Sequence, residues 1–346
     1  MTIQEVVARP VSVPMPQPHR TASGTISESP LLLIDLILDD GTTGRSIVFT
    51  YTIAALEPMA RLVQGMSEAL MNQPLAPASL TDQLARRYRL LGTQGLVGMA
   101  IAGLDMAMWD ALANVHDVSL ARLLGGEPKP IQAYGAVGYD GVKGSAETAE
   151  DWARRGFRGV KAKIGYATVQ EDLEVIRAIR SAVGADVAIM VDYNQSLTPV
   201  EAILRLRHLE DEGLEWIEEP VLATDYPGMA EVAREIRTPI QAGENWWGPE
   251  ELRHALDAGS SDYVMLDVMK IGGVTGWQRA AALAASKGKR ISNHLWPEIS
   301  AQLLSITPGA HWLEYADWWS PVLQSPLQIK DGMVVPDESA LEWNED

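Results

Sequence analysis

The stretch GFRGVKAKIGY, residues 156–166, decides the fold, because it has the pattern of a short buried strand that carries two lysines near its end. Residues two positions apart on a strand point to the same side, so Lys161 and Lys163 are predicted to share one face. A helix-length amphipathic stretch follows this strand. Two cations on one face of a buried strand need partners, and the rest of the chain supplies candidates.

Eight short β-rich runs of this kind recur at spacings of 20 to 30 residues, with helix-length amphipathic stretches between them. They are IQAYGAV (131), VKAKIG (160), VAIMVDYN (187), EWIEEP (215), PIQAGEN (239), YVMLDVM (263), RISNHL (290) and HWLEY (311). This alternation predicts βα units that close into a barrel rather than an open sheet.

The chain on either side of this repeat has a different pattern. Residues 1–128 combine a polar N-terminal loop, a hairpin (LLLIDLIL, turn DDGTTG, RSIVFTY) and helical segments, which predicts an α+β domain. Residues 129–315 are the predicted barrel. The remaining segment, 316–346, contains IKDGMVVPD (329–337), which we expect to form a hairpin that returns to the first domain.

Composition argues against several classes of protein. Lys and Arg number 28 against 46 Asp and Glu, and the net charge of −18 argues against a general binder of nucleic acid or of anionic membranes. The absence of cysteine excludes disulfides, thiol catalysis and Cys-ligated metals. The longest apolar run, 31–38, is too short to span a bilayer and the N-terminus lacks a signal-peptide pattern, so we expect a cytoplasmic protein.

Ionisable residues stand at the carboxyl ends of seven consecutive predicted strands. They are Lys161, Lys163, Asp192, Glu218, Glu244, Asp267, His294 and Glu314. The carboxyl ends of barrel strands meet at one face, where the active sites of barrel enzymes lie. Any one of these residues alone would more often be a helix cap or a solvated side chain, but the whole row predicts a catalytic site.

Three consecutive strands supply carboxylates, namely Asp192, Glu218 and Glu244. Hard oxygen ligands without His or Cys favour Mg²⁺. The alternative is a cluster of mutually repelling acids held by water, which is costly without a cation. Glu219 follows Glu218 directly, so strand alternation predicts that its side chain points to the other face, and it is not assigned as a ligand.

The same face carries two candidate bases. Repulsion and burial are expected to lower the pKa of at least one of Lys161 and Lys163, although the neighbouring carboxylates oppose this, and the other lysine can hold a substrate carboxylate. Asp267 can orient His294 as a second base. Glu314 would be useful in its protonated form, donating a hydrogen bond to developing negative charge.

Two bases beside one Mg²⁺-bound carboxylate suit the removal of the proton next to that carboxylate. Such a proton is weakly acidic, and the resulting enediolate needs a metal and hydrogen-bond donors arranged in advance. Bases on both faces allow the proton to leave from one side and return on the other, which inverts the stereocentre.

The motifs that carry these residues are VKAKIG, VDYNQS, WIEEP, GENW, MKIGGVTGW, SNHL, EISAQLL and AHWLE. They resemble those of the enolase superfamily, mandelate racemase subgroup, and the similarity covers nearly the whole chain. The resemblance implies an α/β fold, a modified TIM barrel (β/α)₇β under an α+β capping domain built from both chain ends. It also implies enediolate chemistry with Mg²⁺, a small-molecule carboxylate substrate, and assembly into an octamer.

The resemblance also implies individual roles. Lys161 would bind the substrate carboxylate, and Lys163 would be the base for one enantiomer. His294, with its orienting acid, would serve the other enantiomer. Glu314 would be the protonated donor, and Asn194 of VDYNQS would contact the α-hydroxyl group.

Departures from the subgroup pattern concern the substrate pocket. Ala136 and Val137 stand where the racemase that names the subgroup has serine and histidine, which predicts one hydrogen bond fewer to the substrate carboxylate. In the N-terminal loop, which resembles the family's lid, His19 and Ser23 replace valines. Arg20 adds a cation there, which would favour a second anionic or hydroxylated group.

The opposite wall of the predicted pocket stays apolar. Ile26, Phe49, Tyr51 and Leu295 form it, while Ala316 replaces a leucine. We therefore expect a roomier pocket that is more polar on the lid side.

Three functions are compatible with these residues. A Mg²⁺-dependent racemase of a 2-hydroxy acid, mandelate or a relative, is favoured by overall similarity. An acid-sugar dehydratase would use the same Lys and His-Asp bases and expel a β-hydroxyl group. A metal-dependent carboxylate-binding protein without turnover is disfavoured, because both bases are present.

Overall fold

The structure is a computed structural model that describes residues 1–21 and 24–344. The N-terminal region pairs a three-stranded antiparallel sheet, in the order β1-β2-β3, with helices. Its elements are β1 (Ile3–Thr21), β2 (Gly24–Leu38), β3 (Thr43–Phe49), α1 (Ile53–Ser67), α2 (Pro77–Arg87), α3 (Gly95–Val115) and α4 (Leu120–Leu123). The predicted hairpin is therefore confirmed as β2 and β3.

The predicted polar N-terminal loop is wrong, because this segment is the long strand β1. It pairs with β2 from Ile3 onward, and the register shifts between Pro14 and His19. β1 is an edge strand of the sheet, where a proline that lacks an N–H group can be accommodated. The proline-rich sequence therefore resembled a loop although its backbone is extended.

The second region is the predicted barrel. Its strands are β4 (Ile131–Val137), β5 (Gly159–Lys163), β6 (Ala188–Asp192), β7 (Ile217–Glu218), β8 (Ile240–Ala242), β9 (Tyr263–Asp267), β10 (Arg290–His294) and β11 (Leu313–Tyr315). Its helices are α5 (Gly141–Arg154), α6 (Val169–Val183), α7 (Pro199–Leu206), α8 (Tyr226–Glu235), α9 (Gly248–Ala258), α10 (Gly273–Ser286) and α11 (Pro297–Ile306). Each of the eight predicted runs coincides with one strand, although β5 begins one residue earlier than predicted.

The eight strands run parallel and close into a ring. Neighbours pair in chain order from β4 to β10, β11 pairs with β4, and a parallel bridge joins Ile291 of β10 to Ala310, just before β11. Local sequence sets where helices begin: Thr168 and Thr198 form capping boxes that start α6 and α7. The (β/α)₇β barrel with a separate N-terminal domain is thus confirmed.

In the last segment only the pairing of the hairpin departs from its prediction, and the residues after the hairpin contact the first domain. β12 (Ile329–Lys330) and β13 (Met333–Val334) form the expected hairpin, but β13 pairs with β4 of the barrel rather than with the first domain. β5 and β11 begin their pairing at Tyr134 and Ala133, which leaves the first two residues of β4 for β13. Further on, Trp343 donates to Asp35 of β2 at 2.7 Å.

Helix α3 is long and apolar enough to cross a membrane by length and composition alone. Of its most apolar window, 72% is buried inside the protein. β3 lies so close to α3 that a Cβ atom at Gly44 would sit 2.2 Å from the carbonyl oxygen of Ala107. These contacts are those of a core helix between two layers of a folded protein.

Asp105 of α3 ties the N-terminal domain to the barrel. Its carboxylate accepts hydrogen bonds from the Thr81 hydroxyl at 2.6 Å and from the Thr275 hydroxyl and amide at 2.5 and 3.0 Å. Burial raises the pKa of Asp105 to about 6 despite these donors. One buried carboxylate therefore joins α2, α3 and the start of α10.

We predict that Asp105→Ala lowers the free energy of unfolding by about 2–4 kcal/mol, because it leaves buried donors without an acceptor. Urea denaturation followed by tryptophan fluorescence would measure this. The matched control is Asp82→Ala, which removes the exposed ion pair with Arg279 across the same interface and should cost less than about 1 kcal/mol. Equal losses for the two variants would contradict the role assigned to Asp105.

Candidate active site

The predicted ionisable residues meet at one mouth of the barrel. They lie at or near the carboxyl ends of their strands, and each is at most 9% exposed. These residues are Lys161, Lys163, Asp192, Glu218, Glu244, Asp267, His294 and Glu314. Contacts of 4.0 Å or less link them into one network, in which the 4.0 Å contact between His294 and Glu314 joins the histidine side to the lysine side. The structure thus brings together every residue of the predicted row.

Three carboxylates form a candidate metal site. Asp192, Glu218 and Glu244 each offer an oxygen atom, and these atoms lie within 4.8 Å of one another. Within the described part of the chain, Oε2 of Glu244 is buried and makes no hydrogen bond. A buried carboxylate with an oxygen that no hydrogen bond satisfies, close to two further carboxylates, fits a hard divalent cation such as Mg²⁺.

Glu218 accepts hydrogen bonds from two side chains that the sequence analysis did not assign to the site. Its Oε2 accepts hydrogen bonds from the indole of Trp216 at 3.1 Å and the amide of Gln241 at 3.0 Å, and its Oε1 faces Lys161 at 2.5 Å. Both donors were missed in the sequence. Strand alternation could have found Trp216, which stands two residues before Glu218 and shares its face.

The two lysines pair with different carboxylates. Lys161 lies 2.5 Å from Glu218 and 2.6 Å from Glu314, while Lys163 pairs with Asp192. Burial alone would lower the pKa of each lysine, but the facing carboxylates outweigh it and raise both values. The expected lowering is therefore wrong for this arrangement, because attraction to the acids exceeds repulsion between the cations.

His294 and Asp267 form the predicted pair. Nδ1 of His294 lies 2.7 Å from Oδ2 of Asp267, which directs Nε2 towards Oε2 of Glu244 at 3.4 Å. The other oxygen of Asp267 accepts from the amides of Met269 and Lys270 at 2.8 and 3.0 Å. The imidazole is thereby held with its free nitrogen facing the metal site.

Glu314 differs from its prediction. Its oxygens accept hydrogen bonds from the Tyr134 hydroxyl at 3.0 Å and the Leu295 amide at 3.2 Å, besides the contact with Lys161. Burial opposes ionisation, but Lys161 and His294 hold the pKa of Glu314 below its usual value. These donors stabilise the ionised form of Glu314, whereas the prediction was a protonated donor.

Glu219 also differs from its prediction. Strand β7 ends at Glu218, and Glu219 turns with a φ of 34°, so alternation no longer sets its direction. It is fully buried, and its Oε2 accepts from Asn245 at 2.7 Å. Burial, Glu244 and Asp192 raise the pKa of Glu219 to about 8. A fourth carboxyl group therefore lies beside the metal site, and its raised pKa favours the protonated form.

The predicted substrate wall lies where the N-terminal domain meets the barrel mouth. The rings of Phe49 and Tyr51 are 4.7 Å apart, and Trp318 lies 5.0 Å from His19 and 5.9 Å from Phe49. Burial and Lys163 lower the pKa of His19 to about 3, so this imidazole is neutral. Trp318 was missed, because no pattern in the sequence links it to the strands that it faces.

The other predicted pocket residues occupy varied positions. Ile26 pairs with His19 across the hairpin, and Leu295 follows the catalytic strand β10 with a φ of 50°. Arg20 is 62% exposed and lies 3.2 Å from Asp140, so its charge is balanced outside the pocket. Ser23 lies outside the described residues.

Three more residues named from the subgroup pattern lie around the mouth. Ala136 and Val137 end β4 next to β5, and Ala136 accepts from Trp152 at 2.8 Å through its carbonyl. Asn194 donates its side-chain amide to Asp192 at 3.0 Å. The roles of these residues towards a substrate remain predictions.

Fold and site together define a magnesium-dependent barrel enzyme with an N-terminal capping domain. Residues 3–125 match the family described as the mandelate racemase/muconate lactonizing enzyme N-terminal domain, and residues 144–341 match the enolase C-terminal domain-like family. The chain belongs to the enolase superfamily, in the mandelate racemase/muconate lactonizing enzyme group.

Several known proteins are similar over nearly the whole chain. A Bradyrhizobium enolase, crystallised with magnesium and mandelic acid, is 43% identical with a TM-score of 0.96, covering 99% of this chain and 96% of that one. D-galactarolactone cycloisomerase of Agrobacterium fabrum is 32% identical over 94% of this chain and 91% of its own. L-talarate dehydratase of Polaromonas sp. JS666, complexed with Mg and L-glucarate, is 26% identical with a TM-score of 0.93, covering 99% and 95%.

We predict that Glu244→Gln weakens Mg²⁺ binding by at least about 10-fold, because it removes one charged ligand of the triad. Isothermal titration with MgCl₂ in the absence of substrate would measure the dissociation constant. Glu215→Gln is the matched control, since Glu215 precedes β7 at the other end of the barrel and pairs with His311 at 3.2 Å. An unchanged titration for Glu244→Gln would remove this residue from the ligand set.

Proposed function

We propose that this enzyme abstracts the proton next to the carboxylate of a 2-hydroxy acid, mandelate or a relative, and racemises it with two bases. One observation carries the proposal: the two candidate bases contact different ligands of the same carboxylate triad. Lys163 pairs with Asp192, and His294 lies 3.4 Å from Glu244. A substrate held between them would present its two faces to the two bases.

The chain's own residues divide the work. Lys161, in ion-pair distance of Glu218 and Glu314, holds the substrate carboxylate. Mg²⁺ bound to the triad supplies the positive charge that stabilises an enediolate. Lys163 accepts a proton only as a neutral amine, so its pairing with Asp192 must weaken when that carboxylate is engaged as a metal ligand.

The wall of the pocket supports a substrate with an aromatic or apolar group. Phe49, Tyr51 and Trp318 present rings on the side where the capping domain meets the mouth. The similar Bradyrhizobium enolase was crystallised with mandelic acid, which is a 2-hydroxy acid with an aromatic group.

An acid-sugar dehydratase is the second candidate, favoured by the neutral imidazole of His19 among the apolar rings. A neutral imidazole offers one donor and one acceptor to substrate hydroxyl groups. In this reaction Lys163 would take the α-proton and His294 would donate a proton to the departing β-hydroxyl group. Water leaves, and the enol product becomes a 2-keto acid. Similar proteins include a talarate dehydratase.

Proton NMR in D₂O tests the proposal. (R)- and (S)-mandelate, each incubated with the enzyme and Mg²⁺, should both lose the α-proton signal. If the signal persists with mandelate but galactarate or talarate exchanges its α-proton or loses water, the result would favour the dehydratase. Inactivity towards both classes, in folded and metal-saturated protein, would favour a carboxylate-binding protein without turnover.

Lys163→Ala should lower the rate of α-proton exchange of one mandelate enantiomer by about 10²–10⁴-fold and leave the rate for the other enantiomer unchanged. His294→Asn should show the opposite preference, because each base reaches one face. Both assays are run at saturating Mg²⁺, since removal of Lys163 changes the charge beside Asp192. Loss of exchange with both enantiomers in either variant would refute the two-base assignment.

A further inference from the structure

Lys270, outside the predicted catalytic row, lies next to the metal site. It follows β9 and is only 9% exposed. Its Nζ donates to Oδ1 of Asn245 at 2.8 Å, and Nδ2 of Asn245 donates to Glu219 at 2.7 Å and to Glu244 at 3.2 Å. A cation is thus joined to a metal ligand through a single amide.

The chemistry of these groups allows one orientation of the Asn245 amide. A lysine ammonium only donates hydrogen bonds, so it must face the amide oxygen. The ionised Glu244 only accepts, so it must face the amide nitrogen, which also donates to Glu219. Lys270 therefore fixes which way Asn245 points, and Asn245 in turn holds one oxygen of each acid.

Lys270 is itself anchored on three sides. Its amide donates to Asp267 at 3.0 Å, and its carbonyl accepts from the Gly248 amide at 3.0 Å. Its ammonium group lies 5.1 Å from the centre of the Tyr51 ring, which belongs to the capping domain. This residue thus contacts the orienting acid of His294, the capping domain and the bridge to the metal ligand.

We propose that Lys270 is a positioning residue for the metal site, acting through Asn245 to fix the Glu244 carboxylate for Mg²⁺. The same bridge holds Glu219, whose Oε1 is buried and without a hydrogen-bond partner among the described residues, beside the three ligands. The proposal depends on the metal site alone and not on which reaction the enzyme catalyses.

Charge and positioning predict opposite effects, which makes the proposal testable. A cation near the triad repels Mg²⁺, so on charge alone the loss of Lys270 would tighten metal binding. If Lys270 acts by orienting Asn245, its loss frees the Glu244 carboxylate to rotate, and metal binding weakens. Residues that orient metal ligands in this way typically change affinity by about 10–100-fold.

The test is titration of the full chain with MgCl₂ in the absence of substrate. Lys270→Met and Asn245→Ala should each raise the dissociation constant by about 10-fold. The dissociation constant of the double variant for Mg²⁺ should equal the larger of the two single-variant values, because both changes break the same bridge. Lys270→Arg, which keeps a donor and a charge, should restore most of the affinity.

Lys289→Met is the matched control. Lys289 also donates from Nζ, to the carbonyl of Ser261 at 2.6 Å, and its removal changes the net charge equally, but it precedes β10 at the far end of that strand. Its Mg²⁺ affinity should equal that of the unaltered chain. Thermal unfolding of every variant separates a loss of stability from a loss of affinity.

Two results would overturn the proposal. One is a Lys270→Met variant that binds Mg²⁺ as tightly as the unaltered chain, or more tightly. The other is a double variant whose loss equals the product of the two single losses, since independent effects multiply. If Lys270→Met does not fold, Asn245→Ala decides alone, because it breaks the bridge without removing a buried charge.

Discussion

The mutual repulsion of three buried carboxylates is the constraint on which the rest of the site depends. Asp192, Glu218 and Glu244 offer oxygens within 4.8 Å of one another and are almost fully buried. Charges so close in a medium of low dielectric repel strongly, and the fold offsets this with cations from the same mouth. Lys161 and Lys163 pair with two of the acids, and the remaining repulsion is what a divalent cation relieves.

The barrel makes such an arrangement possible because parallel strands end at one face. Each strand contributes one or two side chains, and the βα period sets their order around the mouth. Residues beneath and beside the ligands supply donors, such as Trp216 and Gln241 to Glu218. The capping domain then closes the mouth with Phe49 and Tyr51, and Asp105 ties that domain to the start of α10. The ionisable row therefore belongs to the barrel, and the aromatic wall lies at the seam between the two regions.

Most of the fold and the ionisable row were predictable from sequence, because both follow from short-range periodicity. The regular spacing predicted eight strands, and strand ends predicted the triad and the Asp267–His294 pair. What failed depended on local backbone or on long-range contact. Glu219 turns at φ 34° where β7 stops, so alternation could not place it. The charge states of Glu314 and Lys161 depend on a pairing between the first and last parts of the barrel, and that of Lys163 depends on Asp192 of the next strand, which residue types alone do not reveal.

Racemisation and dehydration share their first step, so the catalytic row cannot decide between them. Both need a proton removed beside a carboxylate, and both can use Lys163 and His294. The difference is whether a β-hydroxyl group is present and held so that it can leave, and the pocket wall around His19 is where such a group would be held. There the neutral ring of His19 lies against Trp318, an aromatic surface with one polar group in it. An aryl 2-hydroxy acid would pack against these aromatic rings, whereas a sugar acid would hydrogen-bond to the imidazole. Because most of this wall is aromatic, it favours the aryl 2-hydroxy acid.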